Sequence, residues 1–330
     1  MCRSLIQMTF LCSVLHLLVD GLCVCCLYLM ASSLSASHLV GIFLTYNVLA
    51  FLTQPLTGLW ADRMERRHWM LLASALLLTM AVLATSIVIS LRLSVLGVMI
   101  VALLLGMGNS LFHVWGGKQV AVTTGNDMRA LGTFVSTGAF GLSLGIVFFS
   151  WPLLYVSLLS ICLLSTAYVH LDLKARESRG QVHDSGQNQA TCPRDSRRFS
   201  RMFVWLSLLA LMLIVMLRSL MGETFTDEIP KTGALVLLIG FLSMLGKMAG
   251  GWFARHVGIV RMLVIVVCLV AVCFVFRGRG MVILLVGLFA VNCTMPVTLY
   301  LANVVLPKRE GLAFGLLAAA LIPGYLLAVV

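Results

Sequence analysis

The stretch that decides the fold is "GLWADRMERRHWML", residues 58 to 71, a short charged segment between two long apolar runs. Its charged side chains are Asp62, Arg63, Glu65, Arg66 and Arg67. Of the 330 residues, 61% are hydrophobic and only 11% are charged. A soluble domain of this length needs far more polar surface. We therefore predict an integral membrane protein, in which this stretch is a loop between two spans.

The apolar residues outside this loop fall into runs of about twenty, the length at which a helix crosses about 30 Å of hydrocarbon. We predict an all-α, polytopic protein whose partner is the lipid bilayer. The eleven expected spans are residues 5–30, 38–60, 69–90, 95–117, 130–150, 152–171, 202–221, 233–254, 260–277, 281–304 and 310–330.

The basic residues sort by loop, which predicts the orientation in the membrane. With the amino terminus in the cytoplasm, 17 of the 23 Lys and Arg residues, Lys118 among them, fall on the cytoplasmic side. This asymmetry is the positive-inside rule. It accounts for the net charge of +11 without nucleic acid, which we exclude as a partner. We expect a multi-pass protein of the plasma (inner) membrane.

The only long polar segment divides the chain. Residues 172–201 are mixed in charge and poor in aromatics, so we predict a flexible cytoplasmic linker. It separates an amino-terminal six-helix bundle, 1–171, from a carboxy-terminal bundle of about five helices, 202–330. A faint repeat supports this division, because "GWFARHVGIVRML" from Gly251 aligns with the stretch from Gly58. Parallel repeats of this kind are typical of two-bundle transporters.

The distribution of polar residues predicts which spans face lipid. Spans 3, 6 and 9 have no charged, amide or imidazole side chain within their cores. The remaining spans carry His16 and Asp20, Asn47 and Gln54, Asn109 and His113, Arg218, Lys247, and Asn292. Because ionisable groups in lipid are unfavourable by several kcal/mol, about 3 on insertion scales, they are expected to face a bundle interior or a wet cavity. We predict a polar centre surrounded by lipid-facing helices.

The stretch from Gly58 to Arg67 resembles the signature between helices 2 and 3 of the major facilitator superfamily of secondary transporters. The resemblance implies two bundles related by a pseudo-two-fold axis, with helices 3, 6, 9 and 12 at the periphery. The usual glycine near the eighth position is Glu65 here. Since the family has twelve helices, we expect this sequence, which ends at Val330, to lack a lipid-facing twelfth.

Two shorter stretches resemble branches of the same family. "GMGNSLFHVWGGKQVA", residues 106–121, is similar to a stretch of the fosmidomycin-resistance-like drug exporters. Gly138, Gly141 and Gly145 in span 5 resemble the glycine-rich antiporter motif, and we expect them to pack helices closely. Ile146 stands where that motif has proline. These likenesses imply export.

The charged loop also predicts a cytoplasmic gate. Gly58 allows a neighbouring backbone to approach closely. The family resemblance implies that Asp62 lies at the amino end of helix 11, near Glu310 and Gly311, where the helix dipole stabilises a carboxylate. We expect Arg63, Arg66 and Arg67 to pair across the two halves when this side is closed. The alternative is that these basic residues only hold the loop inside.

Asp20 is the only acidic residue deep within a predicted span, and His16 lies one helical turn before it. We predict that Asp20, His16 and His113 couple transport to protons, since intramembrane Asp and His form proton relays. A structural role for them remains the alternative. The side chains predicted to bind the solute are Asn47, Gln54, Asn109, Arg218, Lys247 and Asn292. Arg218 is expected to bind an anionic substrate, to pair with Asp20, or to extend to the interface.

No phosphate-binding loop, nucleophile elbow or His-Glu-x-x-His pair occurs, so we predict neither an enzyme nor a primary pump, with no cofactor and no metal site. The prediction is a monomeric secondary transporter that moves a small organic solute by alternating access, as proton-coupled efflux. An importer or uncoupled facilitator of the same fold is the first alternative. A non-transporting membrane sensor or scaffold is the second.

Overall fold

The structure, a computed structural model, describes residues 3–31, 34, 36–64, 68–91, 95–184 and 200–329. Ten helices in these ranges are long and apolar enough to cross a membrane, and Ile259–Val275 is a shorter apolar helix. The prediction of an all-α protein with eleven spans is confirmed.

The helices follow one another with short connections. They are α1 (Arg3–Ala31), α2 (Ala36–Asn47, continued by Val48–Leu52 and Gln54–Arg63), α3 (His68–Ser90), α4 (Val95–Thr123), α5 (Met128–Val147), α6 (Trp151–Asp184), α7 (Arg201–Asp227), α8 (Gly233–Val257), α9 (Ile259–Val275), α10 (Met281–Asn292 and Met295–Val305) and α11 (Glu310–Ala319 and Leu321–Val329). We call the membrane face at which α1 begins the N-side, and the other the far side.

Three helices run well beyond their predicted ends, among them α7, which continues to Asp227. Helix α4 continues to Thr123, which places Lys118 inside it rather than in a loop. Helix α6 continues to Asp184, into the segment predicted to be a flexible linker. The residues of this extension include good helix formers and no proline, so nothing in the sequence stops the helix there. The rest of the predicted linker, 185–199, lies outside the described residues.

Helices α2 and α10 are interrupted in mid-membrane. Val48–Leu52 forms a wide π-helical turn in α2, and α10 breaks after Asn292. Pro55 and Pro296 follow in the first turn of the next segment, where a missing N–H is tolerated. These interruptions lie beside the polar centre described below.

The contacts between the helices before residue 185 and those after 199 run mainly along two pairs, α5 with α8 and α2 with α11. Small residues permit them. A Cβ on Gly311 would lie 2.8 Å from the carbonyl oxygen of Gly58, and a Cβ on Gly132 would lie 2.8 Å from that of Lys247. Each pair is therefore a close backbone contact between the two parts of the chain.

The prediction of lipid-facing helices fits α3, α6 and α9, which all expose large apolar side chains. Helix α7 differs from the expectation. It carries Arg218, yet only 17% of the residues in its apolar stretch are buried, against 39% for α3. Its exposed side chains include Trp205, Leu209 and Leu213, which are spaced for one helical face. A single polar residue therefore does not place a whole helix in the interior.

Candidate functional site

Three ionisable side chains meet between α1 and α4, midway along both helices. His16 Nε2 lies 2.8 Å from His113 Nε2. The Asp20 carboxylate lies 3.3 Å from the former nitrogen and 3.5 Å from the latter. All three side chains are less than 10% exposed. We call His16, Asp20 and His113 the His–Asp triad, and the predicted proximity of these residues is present.

The hydrogen bonds of the two rings constrain the protons of the triad. His16 Nδ1 lies 2.7 Å from the carbonyl oxygen of Phe134, and His113 Nδ1 lies 3.0 Å from that of Asn109. Carbonyl oxygens only accept, so both Nδ1 atoms must donate. Two neutral rings would then place two lone pairs 2.8 Å apart. The contact becomes a hydrogen bond when one ring is an imidazolium, with the Asp20 carboxylate as counter-charge.

Neighbouring side chains hold the triad in place. Asn109 Nδ2 donates to Asp20 Oδ1 at 3.0 Å and to the Tyr46 hydroxyl at 3.0 Å. The His16 ring stacks on Phe134, with centroids 4.7 Å apart. Asn109, for which solute binding stays a prediction, is 1% exposed and supports the carboxylate. The triad is therefore oriented by bonds to every member, as a proton or ion site requires.

The triad is also the one group among the described residues with three side-chain atoms close enough to share a metal ion. The two ring nitrogens are already in hydrogen-bond contact. At Zn–N bonds of about 2.0–2.1 Å in tetrahedral geometry they would have to move apart. The spacing between these two nitrogens is a hydrogen-bond distance.

Two cations from the carboxy-terminal part approach the same centre. Arg218 of α7 is 9% exposed, and its Nε and Nη2 atoms have no hydrogen-bond partner among the described residues. Lys247 of α8 is partly buried and lies within electrostatic range of both Arg218 and Asp20. Arg218 does not form the ion pair with Asp20 that was one of our expectations. Asp20 lies against the rings of His16 and His113, whereas Arg218 forms no ion pair with any described residue.

The other predicted solute-binding residues lie on α2 and α10. Asn47 donates to the Phe43 carbonyl of its own helix, while its neighbour Tyr46 faces the triad. Gln54 is fully buried where α2 meets α11. Asn292 Nδ2 donates to the Leu288 carbonyl of its own helix at 2.8 Å and lies 3.5 Å from the Ser243 hydroxyl, on the α8 face that carries Lys247. We therefore place Asn292 near the polar centre, whereas a solute-binding role for Asn47 and Gln54 stays a prediction.

Asp62 lies at the amino end of α11, as predicted. Its carboxylate accepts from the backbone N–H of Gly311 at 3.0 Å and of Leu312 at 2.9 Å. Lys118 of α4 places Nζ 3.0 Å from the same carboxylate and donates to the Ala61 carbonyl at 2.7 Å. We call Asp62, Lys118 and the first turn of α11 the N-side latch. It stabilises a closed N-side, because the helix dipole and the ammonium both favour the carboxylate.

Further contacts close the N-side between α5, α8 and α10. Asn126 donates to the Tyr300 carbonyl at 3.1 Å and accepts from Asn303 at 2.8 Å. The Arg129 guanidinium lies over the Trp252 ring, 5.2 Å from its centroid. The hydrogen bonds from Arg129 hold the pKa of Asp127, which caps α5, below its usual value of 3.8.

The arginines of the charged loop do not support the expected pairing. Arg63 is exposed and makes no ion pair with another described residue. Arg66 and Arg67 lie outside the described residues. Lys118, which the sequence analysis counted as a loop residue, supplies the cation instead. The reason is that α4 continues further than its apolar run, so Lys118 faces the end of α2.

The glycines of α5 pack as predicted. A Cβ on Gly138 would lie 2.8 Å from His16 Cδ2 and closer still to the Asp20 carboxylate. The glycines Gly141 and Gly145 meet the carbonyls of Leu17 and Gly21 on α1. Helix α5 therefore lies directly against the triad only because these positions have no side chain.

The helix order, the two paired contacts and the Asp62 site together match one fold, and a family model described as the Major Facilitator Superfamily matches residues 9–328. The chain belongs to the major facilitator superfamily. As a member of this superfamily it is a multi-pass transporter in the lipid bilayer with a small-molecule substrate. The recognition made from the charged loop is confirmed.

Solved structures agree with this family. The chain is similar to a single-residue variant of the E. coli fucose:proton symporter at 13% identity and a TM-score of 0.65, over 98% of this chain and 90% of that one. It is also similar to a bacterial homologue of the iron transporter ferroportin in an outward-facing state, at 16% identity and a TM-score of 0.54, over 98% and 90%. At these identities the likeness shows the fold alone. No curated protein matches the sequence.

Proposed function

We propose that this chain is a proton-coupled secondary transporter, which moves a small organic solute across the plasma (inner) membrane by alternating access. Its amino terminus would lie in the cytoplasm, so that the N-side is the cytoplasmic side. The observation that carries the proposal is the His–Asp triad, where two buried imidazoles and one carboxylate meet at hydrogen-bond distance.

The hydrogen bonds of the triad support coupling of transport to protons. With both Nδ1 atoms donating to backbone carbonyls, the short contact between the Nε2 atoms is favourable only when it contains a proton. Release of that proton would replace a hydrogen bond by repulsion between lone pairs and leave Asp20 without its counter-charge. The charged and titratable groups that face the triad are Lys247, Cys23 and Tyr46. Gain or loss of one proton would thus change the packing of α1 against α4.

The contacts that close the N-side support alternating access. The N-side latch joins α2 and α11 through two backbone N–H groups and one ammonium, and Asn126 joins the loop before α5 to α10. These polar contacts can be exchanged for water when the side opens, whereas an apolar interface could not be hydrated without a large loss. We propose that the latch opens and closes once in each transport cycle.

Two directions of coupled transport remain in the proposal. The sequence predicts export, on the resemblance of Gly138, Gly141 and Gly145 to the antiporter motif. Uptake together with a proton is the second candidate, and the cations Arg218 and Lys247 favour it, because they suit an anion that a deprotonated, negatively charged triad would repel. The fucose:proton symporter that shares this fold couples in that second sense.

The test measures flux in proteoliposomes with an imposed pH gradient, using a panel of radiolabelled small organic solutes. Wild-type protein should show flux that depends on the gradient. Asp20→Asn should lose this dependence but keep exchange of labelled for unlabelled solute, since exchange requires no net proton movement. Asp127→Asn is the matched control, because Asp127 lies at the N-side surface and should leave coupling unchanged.

The possible outcomes distinguish a coupled transporter from an uncoupled facilitator and from a sensor or scaffold. Gradient-dependent flux that persists in Asp20→Asn would remove the triad from the coupling mechanism. Flux of equal size with and without the gradient in the wild type would support an uncoupled facilitator. No flux of any solute, in protein that is folded and inserted, would favour a membrane sensor or scaffold.

A further inference from the structure

Arg218 is a buried cation that lacks acceptors among the described residues. It lies within α7, is 9% exposed, and leaves Nε and Nη2 without a partner. No described carboxylate forms an ion pair with its guanidinium, and Glu223, five residues along the same helix, interacts with Asp227 and Lys231 instead. An arginine is always charged, so its burial without an acceptor is strongly unfavourable in the empty protein. The position is explained if a ligand supplies the acceptor.

Lys247 is the second cation of this centre. Its ammonium makes no ion pair with any described residue, and the charges that act on it are those of Arg218 and Asp20. Its side chain is only partly buried, and its interaction with Asp20 shows that it faces the amino-terminal part of the chain. Lys247 also acts electrostatically on His113. It therefore lies between Arg218 and the His–Asp triad.

Uncharged polar groups lie beside Lys247. Ser243 lies one helical turn before Lys247 on the same face of α8. The Asn292 amide of α10 lies 3.5 Å from the Ser243 hydroxyl and is 7% exposed. Among the described residues, two cations on two helices are thus accompanied by a hydroxyl and an amide, without a carboxylate from the same half. A negative charge is the component that this group lacks.

We propose that Arg218 and Lys247 bind the solute through an anionic group, a carboxylate or a phosphoryl group, so that the substrate class is small organic anions. The fork of guanidinium N–H donors matches the paired oxygens of either group, whereas Lys247 acts as a point charge. Ser243 and Asn292 would contact the uncharged part of the molecule. This inference rests on the proposed transport function and specifies its substrate.

The charges also determine the sign of coupling. A protonated triad is neutral overall, because the imidazolium balances Asp20, whereas a deprotonated triad has a single negative charge. An anion beside Lys247 is repelled by the deprotonated triad and not by the protonated one. Anion and proton should therefore bind together and move in the same direction. The inference selects uptake by symport over the export that the sequence predicts.

The first test needs no ligand. Arg218→Met removes an unpaired buried charge and should raise the melting temperature of the empty protein in nanodiscs. Lys118→Met is the matched control, since it removes a buried cation that is paired with Asp62, and it should lower the melting temperature. A decrease in Arg218→Met as large as that in Lys118→Met would overturn the proposal, because Arg218 would then have a structural partner.

The second test measures binding at equilibrium, without a gradient, by the melting temperature in nanodiscs. The probes are succinate with succinamide, benzoate with benzamide, and glucose 6-phosphate with glucose. At least one anion should bind tenfold more tightly than its neutral counterpart, and Lys247→Met should abolish this preference. The proposal is overturned if no anion binds, if the neutral partner binds equally well, or if both Lys247→Met and Arg218→Met retain the preference.

The pH dependence of binding separates this inference from the proposed function. In wild type the anion should bind at least tenfold more tightly at pH 6 than at pH 8. Asp20→Asn should bind the anion with no such dependence, because without the Asp20 counter-charge neither buried ring becomes an imidazolium over this pH range. Anion binding without any pH dependence in the wild type would contradict the coupling of anion to proton but would not contradict the anion site. Proton-coupled flux of neutral solutes alone would contradict the anion site.

Discussion

Gly138 provides the space in which the His–Asp triad forms, and its replacement is the most local test of the site. We predict that Gly138→Ala reduces gradient-driven flux at least tenfold, because the added Cβ would overlap the Asp20 carboxylate and the His16 ring. The backbone of α1 is held against α5 by Gly141 and Gly145, so it cannot retreat. Flux in proteoliposomes measures the effect.

Gly222→Ala is the control for this substitution. Gly222 is also a glycine in a membrane helix, and a Cβ there would meet nothing within 4 Å. It should leave flux unchanged and stabilise the protein by about 0.4–1 kcal/mol through the unfolded chain. Wild-type flux in Gly138→Ala would show that the triad tolerates displacement and has no part in transport.

Asp62 is the residue on which the N-side latch depends. We predict that Asp62→Asn leaves insertion intact but lowers flux about tenfold or more, because Lys118 becomes a buried charge without a counter-ion. Removing one partner of a buried pair costs about 3–5 kcal/mol. Here we expect that loss to destabilise the state in which the N-side is closed. Thiol labelling of a cysteine introduced on the N-side measures this effect, because labelling should become faster in the variant.

The double variant Asp62→Asn with Lys118→Met distinguishes the charge from the contact. Removal of both charges leaves no unpaired ion, so N-side closure should be partly restored relative to Asp62→Asn alone. Equal labelling of wild type and Asp62→Asn would contradict the latch. Basic residues at positions 63, 66 and 67 would then have only the topological role that was the alternative in the sequence analysis.

At the scale of single helices, the beginning of α5 gives a prediction with a defined pH dependence. Asp127 caps α5 by accepting from the Arg129 N–H at 2.9 Å, and its carboxylate pairs with the Arg129 guanidinium at 2.6 Å. We predict that Asp127→Ala destabilises the protein at pH 7 by about 1 kcal/mol, the usual contribution of such a cap. The melting temperature in detergent measures this difference.

The depressed pKa of Asp127 sets where this difference disappears. Its stabilisation is fully present above the ordinary value of 3.8 and is lost as the pH falls through the lower folded value. Wild type and Asp127→Ala should therefore converge in melting temperature only below about pH 4. Asp127→Asn keeps a capping oxygen and should lose less stability at pH 7. A constant difference down to pH 3 would contradict the role of the charge.

The two elements related by the sequence repeat make equivalent contacts. Gly58 near the end of α2 lies against Gly311 of α11, and Gly251 near the end of α8 lies against the backbone of Met128 at the start of α5. Both contacts join the amino-terminal part of the chain to the carboxy-terminal part on the N-side. The repeated glycine therefore has the same function in both copies, which is close approach of one helix of each half.

For the whole molecule, the distribution of basic residues predicts the orientation in the membrane. We expect the N-side to be cytoplasmic, with α7 beginning there and the turn between α9 and α10 outside. Arg201→Cys and Gly278→Cys place exposed thiols on the two sides. In a background with Cys2 and Cys192 replaced by serine, an impermeant maleimide should label Gly278→Cys in intact cells and Arg201→Cys only after lysis.

The parent background without either introduced cysteine is the control for this labelling. Most native cysteines of the described residues are buried, and Cys268 lies on the apolar helix α9. Labelling of Arg201→Cys in intact cells would reverse the orientation. The N-side latch would then close the outer side, whereas the direction of symport would still follow the proton gradient.

Sequence reasoning identified the spans, the family and Asp62, because each depends on local chemistry or on a short motif. It also placed His16 and Asp20 on one face of α1, since a spacing of four residues is one helical turn. It failed for Lys118, whose position depends on how far α4 continues. Asn126 and Asn303 carried no signal, because their bond joins residues 177 positions apart.

The sequence by itself determined that this protein crosses the membrane many times, since runs of about twenty apolar residues have no other stable environment. It also determined that polar residues must converge, because each is too unfavourable in lipid to remain alone. Only the tertiary structure decided which of them meet. The bond between His16 and His113, the pairing of Lys118 with Asp62 and the isolation of Arg218 all depend on the rotation and closeness of packed helices, which are set by glycine contacts between distant segments.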